Sequence, residues 1–204
     1  MPNQNNIESK RIFVGIPVPR EIATRIQMLK TLVLASEDNI RWVSGTNLHI
    51  TLLFLGDIPE SKLDSINAAL QIVSDIPGFT LSVERSGVFP NIEKPRIFWM
   101  DIVNGRDDLI CLQSKIQHAA SNFQQMQDDQ SYVPHLTIGR TNRKAKLWKI
   151  DINAFLNVVY EPLVFEVGKY YLYKSELLPT GPRYTILKEY SLKTAGLSSF
   201  ESAN

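Results

Sequence analysis

Apolar positions along the chain follow two spacings, and each change of spacing marks an element. Residues 11–16 carry a short β-prone run, Ile12-Phe13-Val14, which Pro17 and Pro19 end. Beyond Pro19, Ile22, Ile26, Leu29, Leu32 and Val33 recur at steps of three and four, which predicts a helix. Residues 40–43 and 48–55 read as strands around the turn Ser44-Gly45-Thr46. Pro59 opens a second helical stretch with Leu63, Ile66, Leu70 and Val73 on one face, ended by Pro77-Gly78. Phe79, Leu81 and Val83 then alternate as a strand.

The second half repeats this order. Residues 96–103 form a β-rich run, and Asn104-Gly105 is a turn. Leu109, Leu112, Ile116, Ala119 and Phe123 predict a helix, followed by a polar loop over residues 124–130. Residues 133–138 read as a strand, 147–155 as a short helix, 163–173 as a long strand and 183–190 as a final strand. Each half thus predicts strand–helix–strand–helix–strand, with the order repeated and the residues not. That pattern is an α+β fold of two similar lobes, sheet with helices on one side, arranged around a pseudo-two-fold axis. Residues 11–192 are expected to form this one domain, with a polar extension at 1–10 and a loose tail at 193–204.

Composition narrows the class. A chain of 204 residues, 44% hydrophobic and 21% charged, has enough apolar side chains for a core, which excludes a disordered chain or a collagen-like repeat. A net charge of +1 speaks against a nucleic-acid coat protein. The N-terminus lacks an apolar secretory segment, no run reaches the length of a membrane span, and a lone cysteine forms no internal disulfide. A cytoplasmic protein, monomeric and off the membrane, is the expectation. Cys111 reads as a partly or wholly buried helix residue, His118 as an ordinary helix residue, and Trp42 and Trp99 as core.

Two of the three histidines stand in matched settings: Leu48-His49-Ile50-Thr51-Leu52 and Pro134-His135-Leu136-Thr137-Ile138. With ten threonines in the chain, two such His-x-Thr pairs arise by chance at only ~0.7%, so the match points to function. In a strand, residues i and i+2 share a face, so each strand delivers one imidazole beside one stiff hydroxyl. Two imidazoles titrating near neutrality serve as a base and an acid, and two hydroxyls hold phosphate oxygens. This set suits cleavage of a phosphodiester by in-line displacement without a metal or other cofactor. A catalytic zinc would want a third ligand, and neither motif has Asp, Glu or Cys within four residues.

These residues resemble the 2H phosphoesterases, and most closely the RNA 2′,3′-cyclic phosphodiesterases, also called 2′-5′ RNA ligases or LigT-like proteins. The motifs lie 86 residues apart, and flanking blocks extend the resemblance over residues 11–192: Phe13-Val14-Gly15-Ile16-Pro17, Arg41-Trp42-Val43, Gly87-Val88-Phe89-Pro90 and Pro95-Arg96-Ile97-Phe98-Trp99 among them. The resemblance implies a bilobed α+β fold, two antiparallel-type sheets facing a central cleft with helices outside. It implies hydrolysis of a terminal 2′,3′-cyclic phosphate to a 2′-phosphomonoester, on RNA ends or small 2′,3′-cyclic nucleotides. His49 would be the proton donor and His135 the proton acceptor, with Thr51, Thr137 and Arg140 on the phosphate. Phe13 falls where the family places an aromatic near the base, a core phenylalanine being the other reading. Ligation of RNA ends by the same residues in reverse, or RNA-end binding without catalysis, are the alternatives. The ten residues 140–149 hold Arg140, Arg143, Lys144, Lys146 and Lys149 with no acid among them, a landing place for RNA phosphates or a solvated face.

Overall fold

The computed structural model describes residues 9–31, 39–124, 131–146, 150–179 and 181–194. Residues 1–8 of the expected extension and 195–204 of the tail lie outside these, as do Leu32, Val33, 125–130 and 147–149 from predicted elements. The described elements run β1 (Ser9–Pro17), α1 (Arg20–Lys30), β2 (Ile40–Trp42), β3 (His49–Pro59), α2 (Leu63–Gln71), β4 (Phe79–Phe89), β5 (Ile97–Ile102), α3 (Arg106–Ala120), β6 (His135–Thr141), α4 (Ile152–Leu156), β7 (Leu163–Val167), β8 (Lys169–Leu178) and β9 (Gly181–Ser191). Strand β1 starts at Ser9, within the expected extension, and Lys193, within the expected tail, bridges to Pro77. The single strand expected over 163–173 is two strands that part at Gly168.

Hydrogen bonding follows one path, β7-β4-β5-β6-β3-β1-β8-β9, with β2 added on β6. Two antiparallel sheets compose it: β3-β1-β8-β9, and β6-β5-β4-β7 with β2. They meet at one register pair between β3 and β6, Ile50 with Leu136. Past that pair the edge of β6 turns to β2 instead, pairing Ile40 with Thr141, Arg41 with Arg140 and Trp42 with Gly139.

The lobes differ from the sequential halves in one respect. β4 lies in the N-terminal half yet pairs with β5, register Phe89 with Ile97, across the short connection 90–96. β8 and β9 lie in the C-terminal half yet return to β1. Consecutive antiparallel strands pair readily through short loops, and periodicity carries no record of partner choice.

The helices cover one face of the strands. On that side Ile12, Val14 and Ile16 of β1, Ile50, Leu52 and Leu55 of β3, and Phe98, Met100 and Ile102 of β5 are buried. Helix α2 presents Ile66 and Leu70, fully buried, and each apolar side chain removed from water in this way is worth about 1.5–3 kcal/mol. Tyr170 and Tyr190 stack beneath α2, their hydroxyls donating at 2.7 Å to the Leu70 carbonyl and the Asn67 side-chain oxygen. In α3, Leu109, Leu112, Ile116 and Ala120 form the buried stripe, while His118 and Cys111 are exposed. The exposure of Cys111 departs from expectation: one residue beyond Ile110, it falls on the solvent side of the helix.

Candidate active site

The face opposite the described helices carries both His-x-Thr pairs. His49 and Thr51 alternate with buried Ile50 and Leu52, and His135 and Thr137 with buried Leu136 and Ile138. Because Ile50 pairs with Leu136, the residues that follow the two histidines meet on the pseudo-dyad, and both His-x-Thr pairs flank it.

Two bulges extend each pair by a third residue. On β5, Asp101, Trp99 and Ile97 alternate strictly and share a face; their partners on β6 are His135, Thr137 and Arg140. The step of three from Thr137 to Arg140 reflects a register shift between Phe98 and Trp99. Strict alternation would have turned Arg140 to the core side. On β1, Pro17, Gly15 and Phe13 likewise face His49, Thr51 and Phe54, with a shift between Val14 and Gly15. Phe54 is therefore the dyad counterpart of Arg140, five residues after its histidine, and it is 61% exposed.

Each imidazole is held the same way. His49 Nδ1 lies 2.7 Å from the carbonyl oxygen of Asn47, and His135 Nδ1 lies 2.7 Å from that of Val133. A carbonyl only accepts, so each Nδ1 carries the proton and Nε2 remains to gain or lose one. Asn47 is itself fixed by donating its side-chain amide to the Pro182 carbonyl at 2.7 Å. Tyr132, next to Val133, donates its hydroxyl to the Thr51 carbonyl at 3.1 Å, tying the support of one histidine to the strand of the other.

Aromatic rings close round both. His49 contacts Phe13 at 4.9 Å between centroids and Tyr184 edge-on at 5.0 Å. His135 meets Phe89 edge-on at 5.3 Å and Trp99 at 6.2 Å, and these two rings stack at 4.8 Å. Phe13 itself is 2% exposed, stacked on Tyr173 and edged by Tyr184. Of the two readings for Phe13, this burial favours the core one: it is a wall behind His49. Trp42 and Trp99 are half-buried, Trp42 against Phe98 and Trp99 in the wall of the His135 side, where its buried Nε1 has no hydrogen-bond partner among the described residues.

Burial lowers the pKa of both histidines below the ordinary range. The carbonyl bonds oppose this, and the Arg140 charge lowers both further. The charge of His135 adds to the effect on His49, so the two imidazoles and Arg140 act on one another. The structure thus brings together His49, His135 and Arg140, with Thr51 and Thr137 on the same face. Phe54, Tyr132, Tyr173 and Tyr184 join them unannounced by the motifs; for Phe54 the shared offset of five residues was the available signal. Among the described residues no three His, Cys, Asp or Glu side chains cluster as a metal-ligand set. No described helix is long and apolar enough to cross a membrane.

Fold and site define a duplicated α+β protein with one histidine–threonine pair from each lobe at a central seam. The family model of the 2′-5′ RNA ligase superfamily matches residues 18–177, and the chain belongs to that superfamily. It is 31% identical over 180 residues to an RNA 2′,3′-cyclic phosphodiesterase of Thermotoga maritima, across 88% of this chain and 94% of the relative. It is 33% identical over 183 residues to one of Methanocaldococcus jannaschii, across 88% and 99%. The crystal structure of Escherichia coli LigT complexed with 3′-AMP matches at a TM-score of 0.73 and 26% identity, over 92% of this chain and 100% of that one.

Proposed function

We propose that the protein is a metal-independent RNA 2′,3′-cyclic phosphodiesterase that leaves a 2′-phosphomonoester. The observation that carries this reading is the pair of imidazoles flanking one dyad, each with Nδ1 committed to a carbonyl and Nε2 left for proton transfer. The names of the relatives and the nucleotide in the LigT crystal support the substrate class.

In the proposed reaction, His135 Nε2 takes a proton from water as the water oxygen bonds to phosphorus. The bond from phosphorus to the ribose 3′ oxygen breaks, and His49 Nε2–H protonates that oxygen. Thr51 and Thr137 donate to non-bridging oxygens, and Arg140 balances the charge that builds on them. Phe54, exposed on the same face, offers the terminal base an apolar surface.

The test is product analysis on an oligoribonucleotide ending in a 2′,3′-cyclic phosphate, in EDTA. A 2′-phosphate product, and loss of activity by orders of magnitude in His49→Ala and His135→Ala, are expected. A metal requirement, or full activity in either variant, refutes the mechanism. Addition of a second RNA bearing a 5′-hydroxyl distinguishes hydrolysis from joining.

A further inference from the structure

Some basic side chains are paired with carboxylates; others, strand residues Arg85 and Lys188 among them, make no ion pair among the described residues. Lys10, Arg11, Arg106, Lys169, Lys174, Arg183 and Lys193 each pair with a carboxylate. Arg41 and Arg140 make no ion pair among the described residues, although both are exposed and both are built into strands. They are also direct partners in the register of β2 and β6. Like charges placed opposite one another across strands repel and cost stability. The arrangement is favourable when an anion lies between or across them.

Placement says which anion. Cross-strand partners share a face, so Arg41 points to the same side as Arg140, and hence as His135 and Thr137. The Arg140 charge acts on both imidazoles; that of Arg41 acts on neither but, with Arg140, on the Tyr184 hydroxyl, whose ring abuts His49. Arg41 is thus one strand further from the reacting phosphate than Arg140. Beside it is a depression of about 340 Å³ lined by Ile40, Arg41, Trp42 and Asn142. Arg143 and Lys144, both exposed, follow on the connection out of β6.

We propose that Arg41 binds the phosphodiester immediately upstream of the cyclic end, beside Arg140 on the cyclic phosphate, so that the site selects an RNA end over a free cyclic nucleotide. This rests on the cyclic phosphodiesterase reading. A mononucleotide 2′,3′-cyclic phosphate offers a phosphate to Arg140 and none to Arg41; a dinucleotide ending in a cyclic phosphate offers one to each.

The experiment compares kcat/KM for adenosine 2′,3′-cyclic phosphate and for the ApA dinucleotide with the same cyclic end, in wild type, Arg41→Gln and Arg41→Lys. Wild type is expected to favour the dinucleotide by about tenfold. Arg41→Gln should lose that preference with the mononucleotide rate little changed, and Arg41→Lys should keep part of it. The slope of log(kcat/KM) against log[salt] for the dinucleotide should fall by about 0.7 in Arg41→Gln. Equal losses on both substrates, or none on either, overturn the proposal while leaving the proposed activity intact. Hydrolysis of neither substrate by wild type overturns the activity, and this proposal with it.

Discussion

The wall behind His135 makes a quantitative prediction, because Gly87 of β4 sits directly under the Trp99 indole. A Cβ at Gly87 would lie 2.3 Å from Trp99 Cζ2, 2.5 Å from Cε2 and 2.7 Å from Cη2. Carbon atoms in ordinary contact stand ~3.5–4.0 Å apart, so Gly87→Ala must drive the ring away by about 1 Å. The ring has nowhere free to go: it stacks on Phe89 at 4.8 Å, and both rings bear on His135. Overpacking of this kind costs about 1–3 kcal/mol, or a Tm lowered by about 2–12 °C for a protein of this size. With His135 in its proposed role, displacing its imidazole by about 1 Å should lower kcat by about 100-fold.

The measurements are thermal unfolding and kcat on a cyclic-phosphate oligonucleotide. Trp99→Phe provides the rescue, since Cζ2 and Cη2 belong to the benzo part of the indole that a phenyl ring lacks. In the double variant the stability loss should shrink well below the sum of the single losses. Gly168→Ala is the control: nothing lies within 4 Å of its Cβ, and it should be neutral or stabilise by about 0.4–1 kcal/mol. A Gly87→Ala protein as stable and as active as wild type would show that Trp99 does not brace His135.

Both imidazoles are depressed by burial, so the bell-shaped profile of kcat/KM, which reports the free enzyme, should peak below pH 6.5. Removing the Arg140 charge raises both pKa values, so Arg140→Gln should move that peak to higher pH as well as lower its height; a stationary peak refutes the coupling. Phe54→Ala should weaken binding of purine-ended substrates by about 1–3 kcal/mol, read as KM, with Phe54→Trp restoring it and unfolding unchanged. A cyclic or aryl phosphodiester whose leaving oxygen needs no proton should restore turnover to His49→Ala and not to His135→Ala; rescue of the His135 variant would reverse the roles.

The two His-x-Thr pairs were legible because strand alternation is deterministic over three residues: once 49–51 and 135–137 are strands, imidazole and hydroxyl share a face. Five residues is too far for that rule. The bulges that turn Arg140 and Phe54 to the same face follow from the fit of β6 to β5 and of β3 to β1, which local sequence does not encode. The resemblance left Phe13 with two readings, near a base or in the core, and the structure buries it while leaving Phe54 exposed. The rings around the histidines come from β1, β4, β5, β8 and β9, and lobe membership of β4, β8 and β9 was itself invisible to periodicity. The element order and the helical stripes were read directly, because 3.6-residue spacing and Pro-Gly punctuation are local.

Duplication supplies two equivalent histidines, while the proposed reaction needs unlike ones. The backbone frame here is nearly symmetric: each His pairs through its neighbour with the other strand, each Nδ1 meets a carbonyl two residues back, and each strand bulges after its threonine. The side chains filling the frame are opposed. Opposite Thr51 on β1 stands Gly15, with Tyr171 beyond it; opposite Thr137 on β5 stands Trp99, with Gly87 beyond it. At the fifth position one lobe sets an exposed phenyl ring and the other a guanidinium. A nucleoside phosphate has the same polarity, an apolar base at one end and an anion at the other. Seated with its base toward Phe54 and its phosphate toward Arg140, it brings the ribose, and with it the 3′ oxygen, to the His49 side. In-line displacement then requires the attacking water on the opposite side of phosphorus, beside His135. The asymmetry of two residues outside the motifs thus supports the same division of labour that the motifs, being identical, leave open.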